Sequence, residues 1–281
     1  MSDALRLVAY NFLSGGSAKR GGQWSRLLRT LGPDVVFAQE CRPPEECHGE
    51  RFRPGADDSF VWRRALATSG TRRWGTAVLV RAGRLAPIAV PQFDGWVVGG
   101  EVRSAAWSVR PVRLFSVHGP AGERGYVRTM HEILDRVLRL REGSDLILAG
   151  DFNVAVGRRP ASDPRPFSRA ERELLDRLDG ELDLIACWQT ANPGKRLAQT
   201  LRWSRDPTIP YHCDGIFVPR AWSARLASCR VVRGARWTAL SDHNPVVAEL
   251  RTSDSANLSS SSDHPIGSTS GADVPSRSSQ R

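Results

Sequence analysis

Six places in this sequence carry side chains able to do chemistry together: Asn11, the pair Gln39-Glu40, His118, the run Gly150-Asp151-Phe152-Asn153, Asp214, and the run Ser241-Asp242-His243-Asn244-Pro245. Carboxylates and amide oxygens are the ligands a hard divalent cation prefers. Histidines near neutral pH hold or pass a proton. Each residue alone has a plain structural explanation. An Asp following a strand is usually a solvated turn residue, Asn11 could cap a turn, Glu40 could be a surface charge, and His118 could be a satisfied buried histidine. Their common placement argues otherwise, because each follows or opens an apolar burst.

Those bursts read as strands: Leu5 to Tyr10, Val35 to Gln39, Trp74 to Val80, Val97 to Val102, Val112 to Val117, Leu146 to Ala149, Gly215 to Val218 and Val246 to Leu250. A strand delivers its terminal side chain to a sheet rim with little positional freedom, so several carboxylates there can converge on one cation. Helical spacing links Val127, Met130, Ile133, Leu134, Val137 and Leu138, and again Leu174, Leu175 and Leu178. A shorter segment, Trp24 to Leu31, stops at Gly32-Pro33. Sheets covered by helices are expected. No internal repeat and no Gly/Ser linker precedes residue 252, so one domain is expected over residues 1–251. Residues 252–281 are Ser-rich and aromatic-free, which predicts a disordered tail.

With Pro33-Asp34-Val35-Val36-Phe37-Ala38-Gln39-Glu40, Gly150 to Asn153 and Ser241 to Pro245 in this order, the sequence resembles the endonuclease/exonuclease/phosphatase superfamily over residues 5 to 250. The resemblance implies an α/β fold of two packed mixed β-sheets flanked by helices and metal-dependent hydrolysis of a phosphoester. It implies that Glu40 is the principal metal carboxylate, with Asn11 and Asp242 completing the ion's neighbourhood, and that the ion is Mg2+, with Mn2+ as a substitute. Asp151 matches the residue that orients or deprotonates the attacking water, and Asn153 its partner in positioning water and phosphate. His243 matches the histidine on the phosphate, Asp214 the carboxylate that fixes its tautomer, and His118 a second phosphate contact. Asp34 is read as structural. Such hydrolysis needs charge neutralised on nonbridging oxygens, an aligned water and a stabilised leaving oxygen, which metal, Asp and His supply. At His118 the abasic-site branch of that superfamily usually carries tyrosine, a departure that argues against abasic-site repair.

Composition bounds the rest. A net charge of +10 and a pI near 10.3 point toward a polyanionic partner. Only Lys19 and Lys195 are lysines among the 40 basic residues, an arginine skew that coding bias alone could produce. A nucleic-acid phosphodiester, DNA or RNA, is the preferred substrate. A small-molecule or lipid-head-group phosphoester and a non-catalytic nucleic-acid-binding relative are the alternatives. No apolar run is long enough to span a bilayer. The N-terminus lacks a secretory pattern, and five irregularly spaced cysteines argue against a disulfide framework, so a cytoplasmic setting is expected. Cys41, Cys47 and His48 lack the partners of a tetrahedral zinc site, and the two cysteines are read as ordinary loop thiols. Arg124 and Arg128, at the start of the second helix, are read as its solvated face. The Arg/Trp neighbours Trp62-Arg63-Arg64, Arg72-Arg73-Trp74, Arg202-Trp203 and Arg236-Trp237 could stack on single strands. Alternation along a strand makes packing the preferred role of their tryptophans.

Overall fold

The computed structural model describes residues 4–15, 22–47, 50–66, 72–123, 125–158, 168–202 and 211–252. Along the chain run β1 (Ala4–Asn11), α1 (Gln23–Leu31), β2 (Val35–Cys41), β3 (Ser59–Arg64), β4 (Gly75–Val80), β5 (Leu85–Ile88), β6 (Val97–Val102), β7 (Val112–His118), α2 (Tyr126–Leu140), β8 (Asp145–Asp151), α3 (Arg169–Asp179), β9 (Leu184–Ala186), α4 (Cys187–Ala191), β10 (Asp214–Pro219), β11 (Leu226–Val231), α5 (Ala235–Thr238) and β12 (Val246–Arg251). They form two mixed six-stranded sheets, ordered β11-β12-β1-β2-β4-β3 and β5-β6-β7-β8-β10-β9. This is the expected α/β sandwich.

Alternation within the strands builds the layers. On β1, Leu5, Leu7 and Ala9 enter the core between the sheets, while Val8 and Tyr10 pack outward with Trp24, Leu27 and Leu28 of α1. On β8, Ile147 and Ala149 face the first sheet, and Leu146 and Leu148 meet Met130, Ile133 and Leu134 of α2 and Leu174 and Leu178 of α3. Each central strand is therefore apolar on both faces, as a strand covered on both sides must be. Gly32 stops α1 as expected, adopting a left-handed φ of 53° and returning its N–H to the Leu28 carbonyl. Farther along the chain, Ser168 and Glu171 form a reciprocal capping box that starts α3.

Two parallel pairings decide where the polar residues go. β1 runs parallel to β2 with Asn11 opposite Gln39, and β7 runs parallel to β8 with His118 opposite Asp151. Antiparallel β10 opens at Asp214, paired with Asp151, and antiparallel β12 follows the Ser241–Pro245 loop into the end of β1. All six signals thus reach one rim of the sandwich. Cys41 is a buried residue of β2, not a loop thiol. His48, Arg124, Trp203 and the expected tail beyond residue 252 lie outside the described residues. Arg128 is exposed on α2, as expected of a solvated face. No helix among the described residues is long and apolar enough to cross a membrane.

Candidate active site

Glu40 reaches the rim through a local break in β2. The register of β2 on β4 shifts between Ala38 and Cys41, so Gln39 and Glu40 form a bulge, and Glu40 takes a left-handed φ of 46°. Such a conformation costs a non-glycine residue about 1 kcal/mol or more and persists only where its surroundings impose it. Here they do: the Glu40 carbonyl accepts from Gly15 N–H at 2.6 Å, and its carboxylate from Ser14 N–H at 2.6 Å. Asn11 lies between the sheets' two acidic groups. Its Nδ2 donates to Glu40 Oε1 at 3.2 Å and to Asp151 Oδ2 at 2.9 Å, while its Oδ1 accepts from Leu13 N–H at 2.8 Å.

Asp151 ends β8 with its second oxygen accepting from Asn153 N–H at 2.9 Å, and Asn153 Nδ2 donates to the Gly119 carbonyl at 2.9 Å. Gly150 is required beneath it. With φ at 140°, a Cβ there would lie 2.0 Å from the Val117 carbonyl oxygen and 2.8 Å from Gln39 Nε2. The Gln39 amide itself crosses the sandwich to donate to Ser116 Oγ at 2.9 Å. Ser241 ties the last loop to β1, donating to the Asn11 carbonyl at 2.8 Å and accepting from His243 N–H at 3.0 Å. Arg202 braces the same loop through Asn244 Oδ1 and the Ser241 carbonyl. Thr200 Oγ1 accepts from the backbone of Cys213 and Asp214, at 3.0 and 3.1 Å.

The two histidines have opposite electrostatics. His243 Nδ1 meets both oxygens of Asp214, at 2.9 and 3.1 Å, which leaves Nε2 3.7 Å from Asp151 and 4.0 Å from Asp242. Burial opposes its charge, but Asp214, Asp151 and Asp242 prevail and raise its pKa to about 10, so it is an imidazolium at neutral pH. His118 Nε2 lies 3.6 Å from Glu40 and 3.9 Å from Asp151, and its Nδ1 has no hydrogen-bond partner among the described residues. Burial pushes its pKa down despite the attraction of Asp151 and Glu40, so the neutral imidazole is favoured. Trp74 and Trp96 pack against it, with ring centroids 5.3 and 5.1 Å away.

Glu40, Asp151, Asp214 and Asp242 therefore share one rim, with the His243 imidazolium among them and Arg202 and Arg72 at its edges. That excess of negative charge, carried on oxygen donors, fits a hard divalent cation. Glu40, Asn11 and Asp151 are tied together directly, whereas Asp242 is the most exposed member and reaches the group through His243. Asp151, Cys213, Asp214 and His243 also bring candidate ligand atoms within 4.8 Å of one another. Burial, with the neighbouring Asp151 and Asp214, pushes the Cys213 thiol well above its ordinary pKa, and a protonated thiol is a poor metal ligand.

A cleft of about 350 Å³ opens beside these groups, lined by Glu40, Leu66, Arg72, Trp74, Trp96, His118, Tyr126 and Asn153 among others. Sequence reasoning put Trp74 among the packing residues and had no signal for Thr200 or Leu66. The Arg72-Arg73-Trp74 run was the one pointer to this wall.

Comparison with curated proteins gives no match. Among solved structures, the endonuclease domain of TRAS1, a telomere-specific non-LTR retrotransposon, aligns with a TM-score of 0.59 at 18% identity, covering 88% of this chain and 98% of that one. The AP endonuclease LMAP from Leishmania major gives 0.64 at 15%, covering 89% and 88%, and an AP endonuclease from Archaeoglobus fulgidus gives 0.63 at 17%, covering 87% and 98%. At these identities the likeness is one of fold. The profile of the endonuclease/exonuclease/phosphatase family matches residues 8–264, from β1 past the end of β12. The chain belongs to that family and is a phosphoester hydrolase.

Proposed function

We propose that this protein is a magnesium-dependent nuclease that hydrolyses nucleic-acid phosphodiesters by direct attack of water. The observation that carries the proposal is the seam between the sheets, where the Asn11 amide holds Glu40 and Asp151 together beside the His243–Asp214 pair. Glu40, with Asn11 and Asp242, would hold the ion, which when bound neutralises charge on the nonbridging phosphate oxygens. Asp151, fixed by Asn11 and by Asn153 N–H, takes the proton of a water whose oxygen attacks phosphorus as the ester oxygen leaves. Asn153 is proposed to position that water and the phosphate. His243, held as an imidazolium by Asp214, offers its Nε2–H where negative charge develops. His118 lies within reach of a phosphate oxygen as a neutral donor or acceptor.

A nucleic-acid substrate is supported by the net charge of +10, by an arginine and two tryptophans on the cleft, and by the nucleases with which the fold aligns. Five free cysteines support a reducing, cytoplasmic setting. The test is a panel of supercoiled plasmid, abasic duplex, single-stranded DNA, RNA and small phosphoesters, each with magnesium, manganese or chelator. Cleavage of at least one nucleic acid with magnesium and none with chelator is expected. Hydrolysis of small esters alone would overturn the nuclease reading, and activity surviving chelation would overturn the metal.

A further inference from the structure

We infer that the cleft beside His118 receives an unpaired nucleotide adjoining the scissile phosphate, with Arg72 on its phosphate and the wall of Trp74, Trp96, Leu66 and Tyr126 against its base. The inference rests on the nuclease reading and deepens it, from nucleic acid in general to nucleic acid with an unstacked base.

Four observations converge. The cleft is continuous with the catalytic rim, since Glu40, His118 and Asn153 line it too. Only three large apolar side chains are strongly exposed among the described residues, and two of them, Leu66 at 61% and Tyr126 at 41%, border this cleft. Exposed apolar surface collected at one concavity marks a contact site. Arg72 lies over both indoles, its guanidinium carbon 4.7 Å from the Trp74 ring and 4.8 Å from the Trp96 ring, and no carboxylate among the described residues pairs with it. By contrast Arg113, Arg177 and Arg220 are each engaged by carboxylates. The wall is also braced: the indoles meet edge to face at 5.6 Å, and Trp96 Nε1 donates to the Leu66 carbonyl at 3.0 Å.

A guanidinium stacked on aromatic rings keeps its planar donors free for phosphate. Apolar and aromatic side chains beside it offer a base the contacts it makes when taken out of a stack. A base inside a duplex has both faces covered by its neighbours and cannot enter a concave site without being swung out. The occupant is therefore a nucleotide that is already unpaired or easily unpaired.

The experiment compares a single-stranded oligonucleotide with the same sequence fully paired, using wild type, Arg72→Gln and Tyr126→Ser with magnesium. Wild type should cleave the single strand with at least tenfold higher kcat/KM. Arg72→Gln should raise KM about tenfold and flatten the dependence of log binding on log salt by about 0.7, the share of one phosphate contact on a single strand. Tyr126→Ser should raise KM for the single strand with kcat little changed, and it keeps the inference testable should Arg72→Gln fold poorly. Equal cleavage of paired and unpaired strands, or an unchanged KM and salt slope in the folded variants, overturns the inference and leaves the nuclease reading intact. No cleavage of either strand, tested both as DNA and as RNA, overturns the inference, and if plasmid and abasic duplex are also left intact it overturns the nuclease reading too.

Discussion

Replacing Asp214 by Asn keeps the shape of the partner to His243 and removes its charge, so the response reads the electrostatics of the site directly. The His243 pKa is held at about 10, against about 6.5 for an unfolded histidine. Because the folded value is raised, the stabilisation is fully present below about pH 6.5 and is lost as pH rises toward the folded pKa. For one proton the slope approaches about 1.4 kcal/mol per pH unit. Metal-free wild type should thus lose about 2 kcal/mol from this group between about pH 6.5 and about pH 8.5. Unfolded cysteines, half ionised by about pH 8.5, add a slope of their own near the top of this range, but it is common to both proteins and cancels in the comparison. In Asp214→Asn the largest charge supporting the imidazolium is gone while burial still opposes it, so most of the slope should vanish. Urea denaturation of chelator-treated protein at three pH values in this range measures it, and the His243 ring signals report the titration by NMR. Turnover at neutral pH should fall by about 100- to 10,000-fold, the scale of losing a positioned acid or base. Equal slopes in the two proteins, or a wild-type ring titrating near the unfolded value, would refute the argument.

Glu40→Gln should lose most turnover and bind magnesium more weakly, because the proposed site makes this carboxylate the ion's main charge-compensating ligand; metal titration with unchanged affinity would remove Glu40 from the site. Asp151→Asn and His243→Ala should each cut single-turnover rates by orders of magnitude, and the double variant should lose far less than the product, since in the proposed mechanism both act on the same attacking water and phosphate. Gly150→Ala should destabilise by about 3 kcal/mol or more, because its Cβ would collide with the Val117 carbonyl in a backbone conformation suited to glycine. A thermal melt like that of the wild type would show that β7 and β8 can part more easily than their register implies.

The eight strands read from the sequence are the eight interior strands, and the four that escaped, β3, β5, β9 and β11, are the four sheet edges. The reason is physical. An interior strand buries both faces and reads as an apolar run, whereas edge strands such as Ser59–Arg64 and Leu226–Val231 are only partly covered and give a mixed pattern. The motifs likewise announced Glu40, Asp151 and His243, because a strand end is a fixed address. They could not announce the bulge at Gln39 and Glu40, which depends on β4, nor the wall made by Trp74 and Trp96, which lead into strands of different sheets and meet only when the sandwich closes. The low pKa of His118 was illegible for the same reason: it follows from burial against those two rings.

The antiparallel pairing of β1 with β12 has a consequence for the order in which the centre comes into being. Ser241 and Asn11, whose hydrogen bond anchors the catalytic loop, stand 230 positions apart in sequence, and contacts of such separation form only after the intervening chain has been placed. A ribosome releases the chain from its N-terminus, so a growing polypeptide displays Glu40, His118 and Asp151 long before Asp242 and His243 exist. Until β12 emerges and docks beside β1, no catalytic centre is complete. On the proposed assignment of the site, an unfinished chain therefore carries Glu40 and Asp151 without the His243 imidazolium, and hydrolysis by that route begins only once the last strand is in place.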